Sequence, residues 1–213
     1  MPTSREFLLD SNRSQVVSEA DTFTAERYRQ MCGHLPPAAA EILDVGCNTG
    51  RGGAALKSLN PNLRITGLDC LQDRIGRLDP AVYERGICGF STEVAVPNNS
   101  FDAIVAGEFI EHVPADEIDA TLAEFFRILR LRGRLILTTP NPGYLKNKLR
   151  HLSVLLDSSH VTQHFPDCLR RRLRTIGYSG VKLYGSGRMI RYIGQRIAFL
   201  PLYGSYLIRA DKW

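Results

Sequence analysis

The run Leu43-Asp44-Val45-Gly46-Cys47-Asn48-Thr49-Gly50 is the first place where residue types and spacing could do chemistry. Its glycines let a backbone turn sharply and approach a bulky ligand with no Cβ in the way. Asn48, which tolerates a left-handed backbone, stands where many such loops place a further glycine. About 20 residues past this turn, Gly67-Leu68-Asp69 brings in an acid at the spacing from which a carboxylate accepts two ribose hydroxyls. A glycine turn alone is weak, but turn and acid together fit a dinucleotide or an adenosyl cofactor.

Three histidines could serve a reaction at that cofactor. His112 lies in GEFIEHV, and His160 and His164 lie in SSHVTQHFP. Imidazole titrates near neutrality and suits a base that removes a proton from a hydroxyl. His112 and His160 are the catalytic candidates; each has a structural alternative, as a loop anchor and as a surface residue respectively. His164 is the weaker candidate. No histidine pair at helical spacing and no carboxylate cluster is evident, so no metal site is expected. Cys32, Cys47, Cys70, Cys88 and Cys168 form no CxxC pair and read as free thiols in a reducing compartment.

Elements that could position these groups lie on either side of them. Glu41 to Val45 reads as a buried strand delivering the glycine turn, and residues 51–59 as the helix that leaves it. Arg64 to Leu68 is a second strand, Leu71 to Leu78 a short helix, Tyr83 to Cys88 a weaker third strand and Phe101 to Ala106 a fourth. Ala115 to Leu131 has the apolar spacing of a long helix. Gly133 would close it, with Arg127, Arg130 and Arg132 placed where the helix dipole favours cations. Arg134 to Thr138 would be the fifth strand, and Phe165 to Ile176 a further helix. Gly180 to Tyr184 and Leu202 to Arg209 read as two last strands.

Strands and helices alternating in this way predict an α/β fold, a mostly parallel sheet with helices on both faces. Residues 1–20 are patternless and read as a loose arm, and Thr22 to Leu35 as a short helix leading in. One domain is expected over 1–213, with residues 143–201 as substrate-covering segments that include an insert at 188–201.

At this point a resemblance becomes specific. ILDVGCNTG resembles the first motif of class I S-adenosylmethionine-dependent methyltransferases, and GLD resembles the acid that follows it. The stretch PNNSFDAIVAGEFIEHVPADEIDATLAEFFRILRLRGRLILTTPNP is similar to the next landmarks. These are an NSFD-type entry into strand four, an EHV-type segment, a long helix and a glycine turn into strand five. A dehydrogenase reading has no counterpart for the EHV segment. The likeness is close over 41–142 and looser over 160–178 and 202–210.

The resemblance implies a Rossmann-like seven-stranded sheet whose last strand is antiparallel, with S-adenosylmethionine as cofactor. Gly46 and Gly50 would shape the loop against the methionine portion, and Asp44 would help hold its ammonium through water or backbone. Asp69 would accept from both ribose hydroxyls, and Glu108 would lie beside the amino-acid part and the transferred methyl. Cys47, Asn48 and Cys70 complete the cofactor-binding turns. Relatives often carry an acid around Phe90-Ser91-Thr92 for the adenine amino group. Here that acid is displaced to Glu93, so adenine is expected to meet backbone groups, Ser91 or Thr92.

The acceptor is encoded more faintly. SSHVTQHFPDCLRRRLRTIGYSG resembles the segment before strand six in small-molecule, glycan and quinone O-methyltransferases. Arg170, Arg171, Arg172 and Arg174 give that helix a basic face, either solvated surface or a phosphate site. The expected partner is a small-molecule or glycan acceptor methylated on oxygen. Nitrogen or carbon methylation of a quinone-like metabolite stays open, as does a non-catalytic cofactor-binding regulatory subunit.

Hydrophobic residues at 44% and charged residues at 23% exclude a disordered chain, and a formal charge of +5 demands no anionic partner. No zinc knuckle or aromatic stacking platform points to nucleic acid. No secretory leader and no membrane-spanning run is seen, so a cytoplasmic protein is expected. The basic, apolar insert leaves room for peripheral membrane contact.

Overall fold

A computed structural model describes residues 5–14, 23–157, 159–196 and 199–213. Its seven strands are β1 (Glu41–Val45), β2 (Arg64–Asp69), β3 (Tyr83–Cys88), β4 (Phe101–Gly107), β5 (Leu129–Pro140), β6 (Ser179–Ser186) and β7 (Ser205–Asp211). They form one sheet in the order β3-β2-β1-β4-β5-β7-β6. β1 pairs in parallel with β2 and β4, and β7 runs antiparallel to both β5 and β6. This is the Rossmann-like, mostly parallel arrangement expected. The chain builds outward from β1 to β3 and then returns to lay β4 on the other side of β1. The carboxyl ends of β1 and β4 are therefore the switch point at which such sheets open a crevice.

Helices α1 (Arg5–Ser14), α2 (Phe23–Cys32), α3 (Arg51–Leu59), α4 (Gln72–Ile75), α5 (Ile118–Ile128), α6 (Leu145–Leu149), α7 (Pro166–Ile176) and α8 (Ile190–Ile193) surround the sheet. Alternation along β1 divides the core in two. Leu43 and Val45 pack with Phe125 of α5 and Leu169 of α7. Ile42 points the other way, to Met31 of α2 and Leu56 of α3.

Several boundaries differ from the sequence reading. The loose arm instead contains α1 over Arg5–Ser14; residues 1–4 and 15–22 lie outside the described residues. The helix after strand two is short, ending at Ile75. The last strand starts at Ser205, because Leu200–Leu202 form a 3-10 turn. The insert supplies the four-residue α8, and its residues 197–198 are not described.

The largest correction concerns α5, which stops at Ile128. Leu129 turns extended (φ −68°, ψ 139°) and pairs with Phe101 of β4, so sheet pairing wins over helical spacing. Gly133 is thus a strand residue, where an added Cβ would stand 2.7 Å from the Arg130 carbonyl. Arg127 falls in the last turn of α5 as expected, and a further cation reaches the helix end from elsewhere. Lys212 Nζ donates to the carbonyls of Phe126 at 2.8 Å and Leu129 at 2.7 Å, while Arg127 pairs with Glu124 and Arg130 with Asp102.

Candidate active site

The glycine turn after β1 adopts the backbone its residues suggest. Gly46, Asn48 and Gly50 all have positive φ, at 67°, 48° and 80°. The amides of Gly46 and Cys47 donate to the Leu68 carbonyl at 2.8 and 3.1 Å, which ties the turn to the end of β2. Asp69 sits there almost wholly buried. Its Oδ1 accepts from the Leu71 amide at 3.0 Å, and its Oδ2 from the Asn48 amide at 3.1 Å and from Arg74 at 3.4 Å.

Above these groups opens a cleft at the carboxyl ends of the strands. Gly46, Asn48, Asp69, Cys70, Ser91, Glu108 and His112 all line it, together with Phe90 and Phe109. Asn48 also lines a neighbouring hollow with Arg27 and Thr49, and Cys47 lines that hollow and not the cleft. Asp44, Gly50, Thr92 and His160 do not face the cleft directly.

Asp44 lies beneath the turn and is wholly buried. Its Oδ1 accepts from the Tyr28 hydroxyl at 2.6 Å and its Oδ2 from the Tyr83 hydroxyl at 2.7 Å. Burial raises its carboxyl to about 6, against the opposing pull of the two phenol bonds. Tyr83 in turn accepts from the Gly53 amide at 3.0 Å. A Cβ at Gly52 would run into the Tyr28 ring, and one at Gly53 into the Tyr83 hydroxyl. Sequence reasoning missed both tyrosines. The signal was the Gly52-Gly53 pair inside a helix, costly unless something packs close.

The near wall is α1. Leu8 and Asn12 line the cleft, Arg74 donates to the Asn12 carbonyl at 2.6 Å, and the Arg5 guanidinium stands 4.6 Å above the Phe90 ring. At this end Ser91 shares a 2.9 Å hydrogen bond with Thr121. The Thr92 hydroxyl is buried without a partner, and Glu93 is exposed.

Acidic and imidazole groups gather at the other end. Glu108, with φ 50°, sets Oε1 3.6 Å from Arg27 and accepts from the Ser205 hydroxyl at 3.3 Å. Glu111 is wholly buried, its Oε2 accepting from Thr139 at 3.0 Å. Burial, and then the Glu108 charge, push its carboxyl well above the usual range. His112 Nδ1 lies 2.8 Å from the Ser159 carbonyl, and burial lowers its pKa. His160 Nδ1 lies 2.8 Å from the Val154 carbonyl, and the two rings stand edge to face at 5.0 Å.

The segment carrying His160 is stitched to the turn carrying His112. The amides of Val161 and Thr162 both donate to the Glu111 carbonyl, at 2.9 and 3.1 Å. His164 Nε2 meets Thr162 and the Ile110 carbonyl, which makes His164 part of this scaffold. Among the described residues one grouping of potential ligand atoms forms, where no local pattern in the sequence pointed to a metal site. Glu111, His112 and His160 each offer a ligand atom within 4.8 Å of the others. Its two histidines stand 48 positions apart in the chain, so local spacing could not show it.

Comparison with known proteins identifies the family and the fold. Residues 18–183 match a protein family described as a methyltransferase domain. The chain is 28% identical over 184 residues to a malonyl-[acyl-carrier protein] O-methyltransferase of Laribacter hongkongensis, covering 74% of this chain and 60% of that protein. It is 28% identical over 160 residues to the mitochondrial ubiquinone biosynthesis O-methyltransferase of Homo sapiens, covering 68% and 42%. The chain thus spans less than two thirds of the length of these curated relatives. A SAM-dependent methyltransferase structure from Archaeoglobus fulgidus shares the fold, with a TM-score of 0.71 at 20% identity over 98% of this chain and 100% of that one. No helix among the described residues is long and apolar enough to cross a membrane.

Proposed function

The chain belongs to this methyltransferase domain family, within the S-adenosylmethionine-dependent class I superfamily; on that premise we propose that it moves a methyl group from S-adenosylmethionine to an oxygen of a small polar acceptor. One observation carries the reading. The cleft at the carboxyl ends of β1, β2 and β4 brings Gly46, Asn48, Asp69, Glu108 and His112 around a single space.

In this reading Asp69 receives the ribose hydroxyls. The Gly46–Gly50 turn carries the methionine portion, with Asp44 acting through the backbone it supports. Phe90 and Ser91 meet adenine, and Cys70 flanks the ribose. Thr92, behind Ser91, shapes that end from outside the cleft. His112, backed by His160, meets the acceptor's reacting group beside Glu108. Methyl transfer is an in-line displacement at sulfur, so alignment and water exclusion do most of the work. Both curated relatives described above are named for O-methyl transfer, which supports oxygen as the receiving atom, although a further relative is named for C-methyl transfer.

A sugar or other glycan-pathway metabolite remains the proposed acceptor class, on the likeness of residues 158–180 to small-molecule, glycan and quinone O-methyltransferases. The five free cysteines suit a cytoplasmic setting. Calorimetric titration with S-adenosylmethionine, S-adenosylhomocysteine and NAD tests the reading. Micromolar binding of the first two with none for NAD is expected; binding of NAD alone would overturn it.

A further inference from the structure

The cluster of Glu111, His112 and His160 has a chemistry of its own. Its three ligand atoms lie within 4.8 Å of one another. Atoms bound to a common cation at about 2.1 Å stand at most about 4.2 Å apart. A small side-chain adjustment therefore closes a coordination sphere.

Two further observations separate this cluster from accidental neighbours. Glu111 is wholly buried, with Oε2 on the Thr139 hydroxyl and Oε1 buried with no hydrogen-bond partner. A solvent-free carboxylate oxygen left in that condition among ligand atoms is one that a cation would satisfy. Second, each imidazole sets its Nδ1 2.8 Å from a backbone carbonyl, Ser159 for His112 and Val154 for His160. A carbonyl only accepts, so Nδ1 carries the proton and Nε2 the lone pair. Metal-binding histidines are commonly held in this way, the second nitrogen donating to a carbonyl. The Thr139 hydroxyl orients Glu111 in the same sense.

The geometry points to a site for one divalent first-row transition metal ion, held by Glu111 and by Nε2 of His112 and His160 at the acceptor end of the cleft. Two nitrogens and a carboxylate oxygen suit manganese, iron or zinc better than magnesium or calcium, which favour oxygen shells. Three protein ligands leave positions open, and His112 is itself part of the cleft wall. The use of such a position rests on the methyl-transfer reading. There it takes the acceptor oxygen and acidifies its hydroxyl. The proton leaves to solvent, and the new C–O bond forms as the methyl–sulfur bond breaks, leaving a neutral thioether.

Chelator-treated protein titrated with MnCl2 by electron paramagnetic resonance, and with ZnCl2 by calorimetry, tests the site without any turnover. One ion per chain is expected, bound at least tenfold more weakly by His160→Ala and Glu111→Gln while both keep their S-adenosylmethionine affinity. Should His160→Ala melt early, the near-isosteric Glu111→Gln carries the comparison. Protein that binds S-adenosylmethionine but neither ion overturns the cation site and leaves the methyl-transfer reading standing. Ion binding unchanged in both variants also overturns it. Ion binding lost in the variants, in protein that does not take up S-adenosylmethionine, upholds the cation site and sinks the methyl-transfer reading.

Discussion

Arg74 places a guanidinium nitrogen 3.4 Å from Oδ2 of Asp69, the carboxylate proposed to receive the ribose hydroxyls. The other terminal nitrogen of Arg74 holds the Asn12 carbonyl, so one side chain links the Asp69 carboxylate to α1. Arg74→Ala should therefore loosen α1, with amide exchange across residues 5–14 rising several-fold while the sheet stays protected. Hydrogen exchange followed by mass spectrometry reads this directly. Unchanged protection of α1 would mean that Leu8 and the Arg5–Phe90 contact hold it alone.

Asp69→Ala removes the carboxylate proposed to accept two ribose hydrogen bonds. Bonds to a charged group contribute about 1.5–3 kcal/mol each, so a loss of about 3 kcal/mol, or roughly 100-fold in S-adenosylmethionine affinity, is expected. Calorimetric titration measures it, and an unchanged dissociation constant would refute the ribose assignment.

His112→Ala should lower turnover by about 100-fold, the scale of a lost acid–base or acceptor-activating group. Cofactor affinity should stay within a factor of two or so, because the methyl end rather than the ribose end is altered. Steady-state kinetics paired with cofactor titration separates the two effects. A parallel loss of cofactor binding would place His112 in the cofactor subsite instead.

Asp44 gives the fold an unusual pH dependence. Its carboxyl is raised from 3.8 to about 6 by burial, so the folded protein holds this proton more tightly than the unfolded chain. The resulting stabilisation is full below pH 3.8 and is lost as pH rises through about 6. The stability of wild type minus that of Asp44→Asn should fall with rising pH across this window, by up to about 3 kcal/mol. Urea melts at intervals of half a pH unit would show it, and a flat difference would contradict it.

Lys212 is the cap of α5. Lys212→Met keeps the aliphatic stem but strips the donor from two helix-end carbonyls. A cost of about 1–3 kcal/mol follows, or a fall of several degrees in melting temperature for a domain of this size. Scanning calorimetry of the variant is the check.

What the sequence displays and what it hides follow from distance along the chain. The glycine turn and Asp69 were legible because a strand, a turn and an acid at fixed spacing are local features. Four of the strands from Glu41 to Thr138 were equally plain from their apolar runs, whereas Tyr83 to Cys88, mostly exposed, showed a weaker signal. Tyr28 and Tyr83 reach Asp44 across 16 and 39 residues, and Lys212 reaches Leu129 across 83. No periodicity records such meetings. Leu129 misled for a related reason: it continues the helical spacing of α5, yet its backbone is claimed by β4. α1 was missed because its partners, Arg74 and Phe90, lie in later turns.

β7 lies between β5 and β6 although it is the last of the three to be made. During synthesis, β5 must wait with one edge bare until residues 205–211 have left the ribosome, and α5 waits for Lys212. A bare parallel edge is a template for mispairing. The half of the domain that holds the glycine turn can gather early, while the half facing β6 closes in a single late insertion. Nascent chains stalled between β6 and β7 are thus the vulnerable species, the ones a chaperone must shield.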